Sequence, residues 1–233
     1  MEFTTSIISI KKDIYDVKKF KAKKPAEFKF QCGQYFLLSI VNDKDNINKP
    51  FTFTSSPTDD IIEFAIKKIG KFTEKVHSLK EGDEIKIKGP FGQSIIFNED
   101  IKSDIVLLAG GSGIAPFIST IRYIIAKGLN NKVTLLCANR TKKDIMFKEE
   151  LKEIAEKNDN IKIVNTLTRE GWEGETGYFS KEMIDKYVTK KSERIWYICG
   201  TPKLVDATKT VLSSIGIDDK NIKSEQWLMI GKK

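Results

Sequence analysis

The stretch LLAGGSGIAPF, Leu107–Phe117, decides the fold of this 233-residue chain. An apolar run, IVLLA, is followed by two adjacent glycines, a serine, a third glycine and a proline. This order is typical of a buried strand that turns into a helix, and Pro116 suits the first turn of that helix. Glycines let another group approach the backbone, and the first amides of a helix attract phosphate. The stretch predicts a phosphate-binding turn, although a tight packing turn could have the same composition.

The sequence after residue 103 alternates apolar runs with helix-like segments. The predicted strands are IVLLAG, VTLLCAN, IKIVNTL and RIWYICG, with KSEQWLMIG as a further extended segment. The predicted helices are APFISTIRYIIAKG, KEELKEIAEKN, SKEMIDKYVTK and PKLVDATKTVLSSIG. Strands that alternate with helices of this length indicate crossover units and a parallel sheet. The part of the chain after residue 100 is therefore predicted to form an α/β domain with a parallel sheet.

The first hundred residues have a different pattern, because short β-rich segments are separated by turn-forming residues. These segments are TTSIISIKKD, YDVKKFKAKK, QYFLLSIV, FTFTSS, IIEFAIKKI and DEIKIKG. One helical segment, FTEKVHSLK, lies between the last two. About six short strands at this spacing favour an antiparallel barrel or sandwich over residues 1–100.

Composition excludes several classes of protein. With 40% hydrophobic and 31% charged residues, the chain is typical of a soluble globular protein, and it has neither an apolar run long enough for a membrane span nor a signal-like N-terminus. The net charge of +8 is spread along the chain, which argues against nucleic-acid binding but is compatible with an acidic protein partner. Three widely spaced cysteines, Cys32, Cys137 and Cys199, and a single histidine, His77, argue against disulfides and metal sites. We expect a cytoplasmic protein.

Five segments, taken together, resemble the motifs of the ferredoxin-NADP reductase superfamily in order and approximate spacing. They are KPFTFTSSP at Lys49–Pro57, GKFT at Gly70–Thr73, GGSGIAP at Gly110–Pro116, CGTP at Cys199–Pro202 and EQW at Glu225–Trp227. The resemblance covers essentially the whole chain, including GQY and GPFG in the first half. It implies an antiparallel six-stranded FAD-binding β-barrel over residues 1–100, followed by a Rossmann-like, NAD(P)-binding parallel α/β domain over residues 101–233.

The resemblance makes KPFTFTSSP the flavin-binding motif, with Lys49, Phe51 and Thr52 at its key positions. Phe51 would supply an apolar surface for the planar ring, the Thr52 hydroxyl would bond one ring edge, and Lys49 would meet a phosphate. Out of context the segment is also compatible with an ordinary alternating strand. Lysine replaces the family's arginine and phenylalanine replaces its tyrosine, which removes a bidentate donor and a phenol. We expect flavin binding to persist with lower affinity.

The segment GKFT resembles the loop that holds the flavin pyrophosphate. Gly70 would end a strand, and Thr73 would lie near a helix start where amides and a hydroxyl converge on an anion. A simple helix cap is a compatible interpretation. Because this loop and Lys49 both suit a diphosphate, FAD is favoured over FMN.

The remaining motifs are assigned to the nicotinamide side of the resemblance. Cys199 would lie beside the nicotinamide, although a lone cysteine is often a buried small hydrophobe. Glu225 and Trp227 would approach the flavin, with a surface charge and a core aromatic as the alternatives. Arg140, in a lysine-containing loop after the second α/β strand, would contact a 2′-phosphate, stack on adenine or face solvent, which favours NADPH only slightly over NADH.

The resemblance thus implies a flavoprotein oxidoreductase that takes a hydride from NAD(P)H onto FAD and passes electrons to a separate acceptor, such as an acidic ferredoxin or flavodoxin. An accessory flavin-binding subunit and a free flavin reductase are the alternatives. Thr52, Cys199 and Glu225 are the predicted catalytic positions. The predicted cofactor-binding residues are Lys49, Pro50, Phe51, Thr52, Phe53, Thr54, Ile66, Lys67, Gly70, Lys71, Phe72, Thr73, Gly110, Gly111, Ser112, Gly113, Ile114, Pro116, Arg140, Cys199, Gly200 and Trp227.

Overall fold

The structure is a computed structural model that describes residues 1–45 and 47–226. Trp227, which the sequence assigns to the flavin, lies outside the described residues. The chain forms two compact units. The first comprises Met1–Asn98 and Ala115–Lys127, and the second comprises Glu99–Ile114 and the described residues from Gly128 onward. In the described ranges, the helices are too short or too polar to cross a membrane.

The first unit is a six-stranded antiparallel sheet with two helices. Its strands are β1 (Glu2–Ile14), β2 (Val17–Lys23), β3 (Tyr35–Ile40), β4 (Lys49–Thr52), β5 (Ile61–Lys67) and β6 (Glu84–Phe91). Helix α1 spans Lys71–Ser78 between β5 and β6, and α2 spans Ala115–Lys127. The strand order is β4-β3-β6-β1-β2-β5, and the inward side chains form an apolar core rich in phenylalanine.

Strands β4 and β5 are the two edges of this sheet, and they contact each other without forming a ladder in the described residues. Just beyond β4, the amides of Thr54 and Ser55 donate to the Glu63 carbonyl of β5, at 2.8 and 3.3 Å. The two edges are therefore joined at one corner, and the backbone polar groups of β4 and β5 that face away from their ladders are left for other partners.

The second unit is a six-stranded parallel sheet. Its strands are β7 (Ile105–Gly110), β8 (Val133–Asn139), β9 (Ile161–Leu167), β10 (Glu175–Thr176), β11 (Ile195–Gly200) and β12 (Ile222–Gln226). Its helices are α3 (Lys148–Lys157), α4 (Lys181–Tyr187) and α5 (Pro202–Ser214). The predicted order of an antiparallel β unit followed by a parallel α/β unit is confirmed. The two-residue strand β10 is an addition to the strands that the sequence pattern predicts.

The strand order of the parallel sheet is β10-β9-β8-β7-β11-β12. The chain starts in the middle at β7, moves outward through β8 and β9, and returns to the other side of β7 with β11. Ligands of open α/β sheets bind where the order reverses in this way, at the carboxyl ends of the strands. In this sheet that position lies between the ends of β7 and β11, which are Gly110 and Gly200.

Local sequence explains these elements. All seven residues of β8 are buried, as are the first five of β7, which suits central parallel strands covered on both faces. Helix α5 begins after Thr201, whose hydroxyl accepts a hydrogen bond from the Leu204 amide, and Pro202 occupies the first turn. The segment CGTP is therefore a strand end followed directly by a capped helix.

Candidate functional site

The segment KPFT is strand β4, and its burial changes sharply along its length. Lys49 and Phe51 are half-buried, whereas Thr52 is buried. Within the described residues the Lys49 ammonium forms no ion pair. Phe53 and Thr54, which follow the strand, are buried in the core, where the Phe53 ring stacks on another phenylalanine at 4.2 Å between centroids. A bound ring could therefore meet the side chains of Lys49 and Phe51, but only the backbone of Phe53 and Thr54.

Thr52 holds a buried hydroxyl with no hydrogen-bond partner in the described residues. The residue is 5% exposed, and its backbone pairs with Tyr35 of β3. An unsatisfied buried polar group costs about 1–3 kcal/mol, so such groups are rare unless a ligand completes them. The Thr52 hydroxyl is therefore suited to a ligand with a polar edge.

Phe51 and Phe72 bring the two predicted flavin motifs together. Their rings are nearly parallel, at an angle of 18°, with centroids 6.2 Å apart. Phe72 belongs to the GKFT segment at the start of α1. The β4 strand and the amino end of α1 thus form one surface, as the assignment of both to one cofactor requires.

The start of α1 is organised by the Thr73 hydroxyl. This hydroxyl accepts hydrogen bonds from the amides of Ile69 and Gly70, at 2.9 and 3.0 Å, and donates to the Gly70 carbonyl at 2.8 Å. The side chain is therefore used in capping its own helix. The amides of Lys71 and Phe72 open the helix without an intrahelical partner. They are the groups at this turn that can bind a phosphate, next to a Gly70 Cα with open space beside it.

Two further predicted residues, Ile66 and Lys67, are engaged elsewhere. Ile66 is fully buried in the core, and its carbonyl lies 2.8 Å from Nε2 of His77. The Lys67 ammonium pairs with Asp16 at 3.1 Å. Their contact with a cofactor stays a prediction, and it would involve the free backbone edge of β5 rather than these side chains.

In the second unit, three of the predicted motifs end on neighbouring strands. Cys199 of β11 pairs in register with Ala109 of β7 and with Glu225 of β12. The glycine-rich turn after β7, the CGTP segment and the described part of EQW therefore meet at one edge of the parallel sheet. This edge is the reversal point of the strand order, which the separate motifs did not indicate.

The glycines of this turn serve different purposes. A Cβ on Gly113 would lie 2.2 Å from the Cys199 carbonyl oxygen, so only glycine fits between the turn and β11. Gly111 has φ of +53° with open space beside its Cα. Residues Gly111–Ile114 form a 3₁₀ helix that leads into α2, and Ser112 is exposed. The turn is both tightly packed and open to an approaching phosphate.

The side chain of Cys199 is fully buried. Its carbonyl group supports Gly113, which is a packing role at the predicted nicotinamide site. Glu225 is half-buried, and this burial raises the pKa of its carboxyl group to about 7. A carboxyl group with such a pKa can donate a hydrogen bond near neutral pH, and perturbed groups of this kind are common in functional sites.

The loop after β8 carries Arg140, which is exposed. The Arg140 carbonyl accepts a hydrogen bond from the Arg169 amide at 3.0 Å, so the loops after β8 and β9 are tied together. Lys142 pairs with Glu173 at 3.3 Å, and its amide donates to Glu170. Lys142 is therefore partly neutralised, and Arg140 and Lys143 are the cations of this loop without a partner among the described residues.

Sequence reasoning missed a buried polar cluster in the first unit. It consists of Glu63 on β5 and of Ser119 and Arg122 on α2, which bind the segment that follows β4. One signal was present in the sequence, because Arg122 stands in the otherwise apolar helix pattern FISTIRYII of a chain with four arginines. Its partner could not be found from the sequence, since Glu63 lies 59 residues away.

Comparison with known proteins agrees with this geometry. Residues 3–99 match the family of FAD-binding domains, and residues 107–210 match the oxidoreductase NAD-binding domain. Over 198 residues the chain is 31% identical to NADH-cytochrome b5 reductase 1 of Dictyostelium discoideum. The aligned region covers 82% of this chain and 68% of that protein. The chain belongs to the ferredoxin-NADP reductase superfamily.

Other members of the superfamily extend the comparison. The chain is 26% identical, over 227 residues, to the ferredoxin–NAD(P)⁺ reductase component of the naphthalene 1,2-dioxygenase system of Pseudomonas putida, covering 95% of this chain and 68% of that protein. The crystal structure of a ferredoxin NADP⁺ reductase from Neisseria gonorrhoeae with bound FAD and NADP has a TM-score of 0.82 at 21% identity, covering 97% and 98% of the two chains. The chain spans 60% or less of the length of several other curated relatives.

Membership of the superfamily confirms the predicted cofactor classes, FAD and a nicotinamide nucleotide, and the predicted class of enzyme, a flavin-containing reductase. The residues present fit both groups. The unpaired Thr52 hydroxyl and the free edge of β4 suit the polar edge of a flavin, and the turn at Gly111–Ile114 suits a pyrophosphate. The roles of individual residues stay predictions.

A Thr52→Val substitution should separate ligand binding from folding. Because the hydroxyl has no partner among the described residues, removing it should leave the free energy of unfolding without FAD unchanged or raise it by up to about 1 kcal/mol. FAD should bind more weakly and be reduced more slowly. Urea denaturation and anaerobic reduction measure the two effects.

Thr54→Val is the matched control for this experiment. The Thr54 hydroxyl donates to Glu63 Oε1 at 2.9 Å, so its loss should lower the free energy of unfolding by about 1–2 kcal/mol. A Thr52→Val protein that is as destabilised as Thr54→Val would contradict the assignment of the Thr52 hydroxyl to a ligand.

Gly113→Ala should be far more damaging than Gly111→Ala. The first change forces a methyl group against the Cys199 carbonyl and should cost about 1–3 kcal/mol or more through backbone shifts. The second meets open space and should cost about 1 kcal/mol because of its positive φ. Urea midpoints compare the two. Equal losses would show that close packing on β11 does not set the position of the turn.

Glu225→Gln should change the pH dependence of stability. Because the folded pKa of Glu225 is raised to about 7, the folded state retains a proton that the unfolded state releases near pH 4.5, so stability falls as the pH rises between these values. The variant should be more stable than the wild type at pH 8, by about 1 kcal/mol after allowance for partial exposure, and similar at pH 5. Glu149→Gln, on the exposed surface of α3, is the control and should leave the free energy of unfolding unchanged at both pH 8 and pH 5. A pH-independent difference for Glu225→Gln would contradict the raised pKa.

Proposed function

We propose that this FAD- and NAD(P)-binding oxidoreductase takes reducing equivalents from NAD(P)H and delivers them to a separate electron-transfer protein. The observation that carries the proposal is the buried, unpaired hydroxyl of Thr52 at the free edge of β4, in a chain that also has a nucleotide turn at the reversal point of a parallel sheet. Bound FAD would supply the hydride-accepting chemistry and the conversion to single-electron transfer.

The first unit would bind and orient the flavin. The Thr52 hydroxyl would donate a hydrogen bond to a polar atom of the ring edge, and Phe51 would cover part of a ring face. The amides of Lys71 and Phe72, together with the Lys49 ammonium, would hold the diphosphate. This arrangement needs no ionisable catalytic side chain, which agrees with a chain that contains one histidine.

The second unit would hold the nicotinamide nucleotide at the edge formed by the ends of β7, β11 and β12. The amides of Gly111–Ile114 would bind its pyrophosphate, and the contact of Gly113 with the Cys199 carbonyl would set the depth of the turn. Glu225, at the end of β12, would donate a hydrogen bond in its protonated form, because burial raises its pKa to about 7.

The proposed acceptor is a small acidic carrier such as a ferredoxin or a flavodoxin. The net charge of +8 supports this class, because opposite charges accelerate the encounter of two proteins. Two relatives are named for reduction of ferredoxin and of cytochrome b5, so protein acceptors are established within the superfamily. We also propose a cytoplasmic location, which is supported by three buried cysteines that form no disulfide within the described residues.

The accessory flavin subunit and the free flavin reductase are not favoured, since the relatives are named as reductases that act in electron transfer. Each alternative predicts a different behaviour of the purified protein. An accessory subunit would be yellow but would not be bleached by NAD(P)H, and a free flavin reductase would be purified without colour.

Anaerobic stopped-flow spectroscopy with NADH and NADPH tests the proposal. We expect either nucleotide to bleach the flavin bands, with a preference for NADPH of less than about tenfold, because Lys142 is paired with Glu173 and Arg140 is left as the main candidate for a 2′-phosphate contact. Arg140→Ala should abolish the preference, and Lys142→Ala is the matched control that should retain it. No bleaching with either nucleotide would refute the proposed function, whereas equal rates in the wild type would refute only the role of Arg140.

A further inference from the structure

The segment immediately after β4 is held by polar contacts with β5 and α2. Its backbone amides at Thr54 and Ser55 donate to the Glu63 carbonyl, and the Glu63 amide donates to the Ser55 hydroxyl at 3.0 Å. Arg122 donates to the Thr54 carbonyl at 2.7 Å, and the Ser119 hydroxyl donates to the Ser55 carbonyl at 2.7 Å. The position of Thr54, two residues beyond Thr52, is therefore fixed by β5 and α2.

Glu63 is the centre of this cluster. It is 4% exposed, and its Oε1 accepts from Arg122 at 2.6 Å and from the Thr54 hydroxyl at 2.9 Å. Burial by itself would raise the pKa of this carboxyl group, but the charge and hydrogen bonds of Arg122, with the Thr54 hydroxyl, outweigh burial and hold the pKa below its usual value. The carboxylate is thus ionised at neutral pH, and the side chains of Glu63 and Arg122 form a largely buried ion pair.

A buried ion pair of this kind is a poor source of stability. Removing two charges from water is costly, and well-packed apolar side chains can stabilise a fold equally well. The pair instead fixes the relative orientation of the groups that it joins, because a carboxylate and a guanidinium form hydrogen bonds in only a few geometries. Here the orientation is fixed at the corner where the edges of β4 and β5 are joined, beside the free edges that are available to a ligand.

The two α2 residues in the cluster, Ser119 and Arg122, are three positions apart and therefore lie on one face of the helix. The same helix begins at Ala115, directly after the 3₁₀ turn Gly111–Ile114. A third contact supports this face, because the Cys32 sulfhydryl lies 3.8 Å from the Ser119 carbonyl. The helix that follows the nucleotide turn in the chain is thus fastened to the segment that follows Thr52.

We infer that Glu63 and Arg122 are positioning residues that hold Thr52–Ser55 so that the Thr52 hydroxyl meets the flavin edge. The inference rests on the proposed function for the identity of the ligand. The pair itself would touch neither cofactor nor substrate. It acts through Thr54, and its loss would leave the Thr52 hydroxyl present but wrongly placed.

Three variants test the pair in the full-length protein. Arg122→Met removes the charge and the hydrogen bonds, Arg122→Lys keeps the charge without the planar fork, and Glu63→Gln keeps the shape without the charge. The matched control is Arg194→Met, since Arg194 is also buried, 7% exposed, and pairs with Asp104 in the second unit at 3.4 Å. The measurements are the FAD dissociation constant, the visible spectrum and midpoint potential of bound flavin, and the urea midpoint of the FAD-free protein.

We expect Arg122→Met and Glu63→Gln to weaken FAD binding on the order of tenfold and to alter the flavin spectrum and potential, with partial recovery in Arg122→Lys. Arg194→Met should lower the urea midpoint but leave the spectrum and the potential unchanged. Wild-type FAD affinity, spectrum and potential in Arg122→Met would overturn the inference. The same losses in Arg194→Met would also overturn it, because they would then reflect general destabilisation.

A double-mutant cycle with Thr52→Val identifies the route of the effect. If the pair acts by placing the Thr52 hydroxyl, Arg122→Met should change the flavin potential much less in the Thr52→Val background than in the wild type. Additive changes would overturn the inference. Failure of the wild-type protein to bind FAD would instead refute the proposed function itself, so the two failures are distinguished by the wild-type measurement.

Discussion

Buried polar atoms must find hydrogen-bond partners, and around the end of β4 nearly all of them do so within the protein. Thr54, Ser55 and Glu63 satisfy one another, and Arg122 completes the set from α2. The Thr52 hydroxyl, two residues before Thr54, is buried and has no hydrogen-bond partner in the part of the chain that the structure describes. Within the four residues Thr52–Ser55, the protein itself satisfies the side-chain hydroxyl groups of Thr54 and Ser55 and leaves that of Thr52 available to a ligand.

The second unit meets the same requirement through topology. In a parallel sheet, the turns and helix starts that follow the strands present free amide groups at the carboxyl ends of the strands, and the reversal of strand order between β7 and β11 opens a space there. Gly113 packs against the Cys199 carbonyl while Gly111 leaves the turn open. Close packing on one side and accessible amides on the other are what a pyrophosphate-binding turn needs.

The ionisable groups divide in a similar way. Arg122 keeps Glu63 charged despite burial, so that carboxylate serves as a fixed acceptor. Glu225 forms no ion pair within the described residues, and burial raises its pKa to about 7, so it can carry a proton at neutral pH. Two glutamates in one chain thus have opposite protonation behaviour, set by whether a guanidinium accompanies burial.

The sequence by itself determined the elements and their order, because the strand and helix patterns and the glycine-rich turn are local features of the chain. The family motifs, which are also local, indicate both cofactors. Only the tertiary structure decided that the neighbouring strands β11 and β12 bring Cys199 and Glu225 into register. It also decided that the Thr73 hydroxyl caps its own helix and that Glu63 forms an ion pair with Arg122. These facts depend on contacts between residues far apart in the chain, and hydrophobic periodicity does not encode which distant polar groups will become partners.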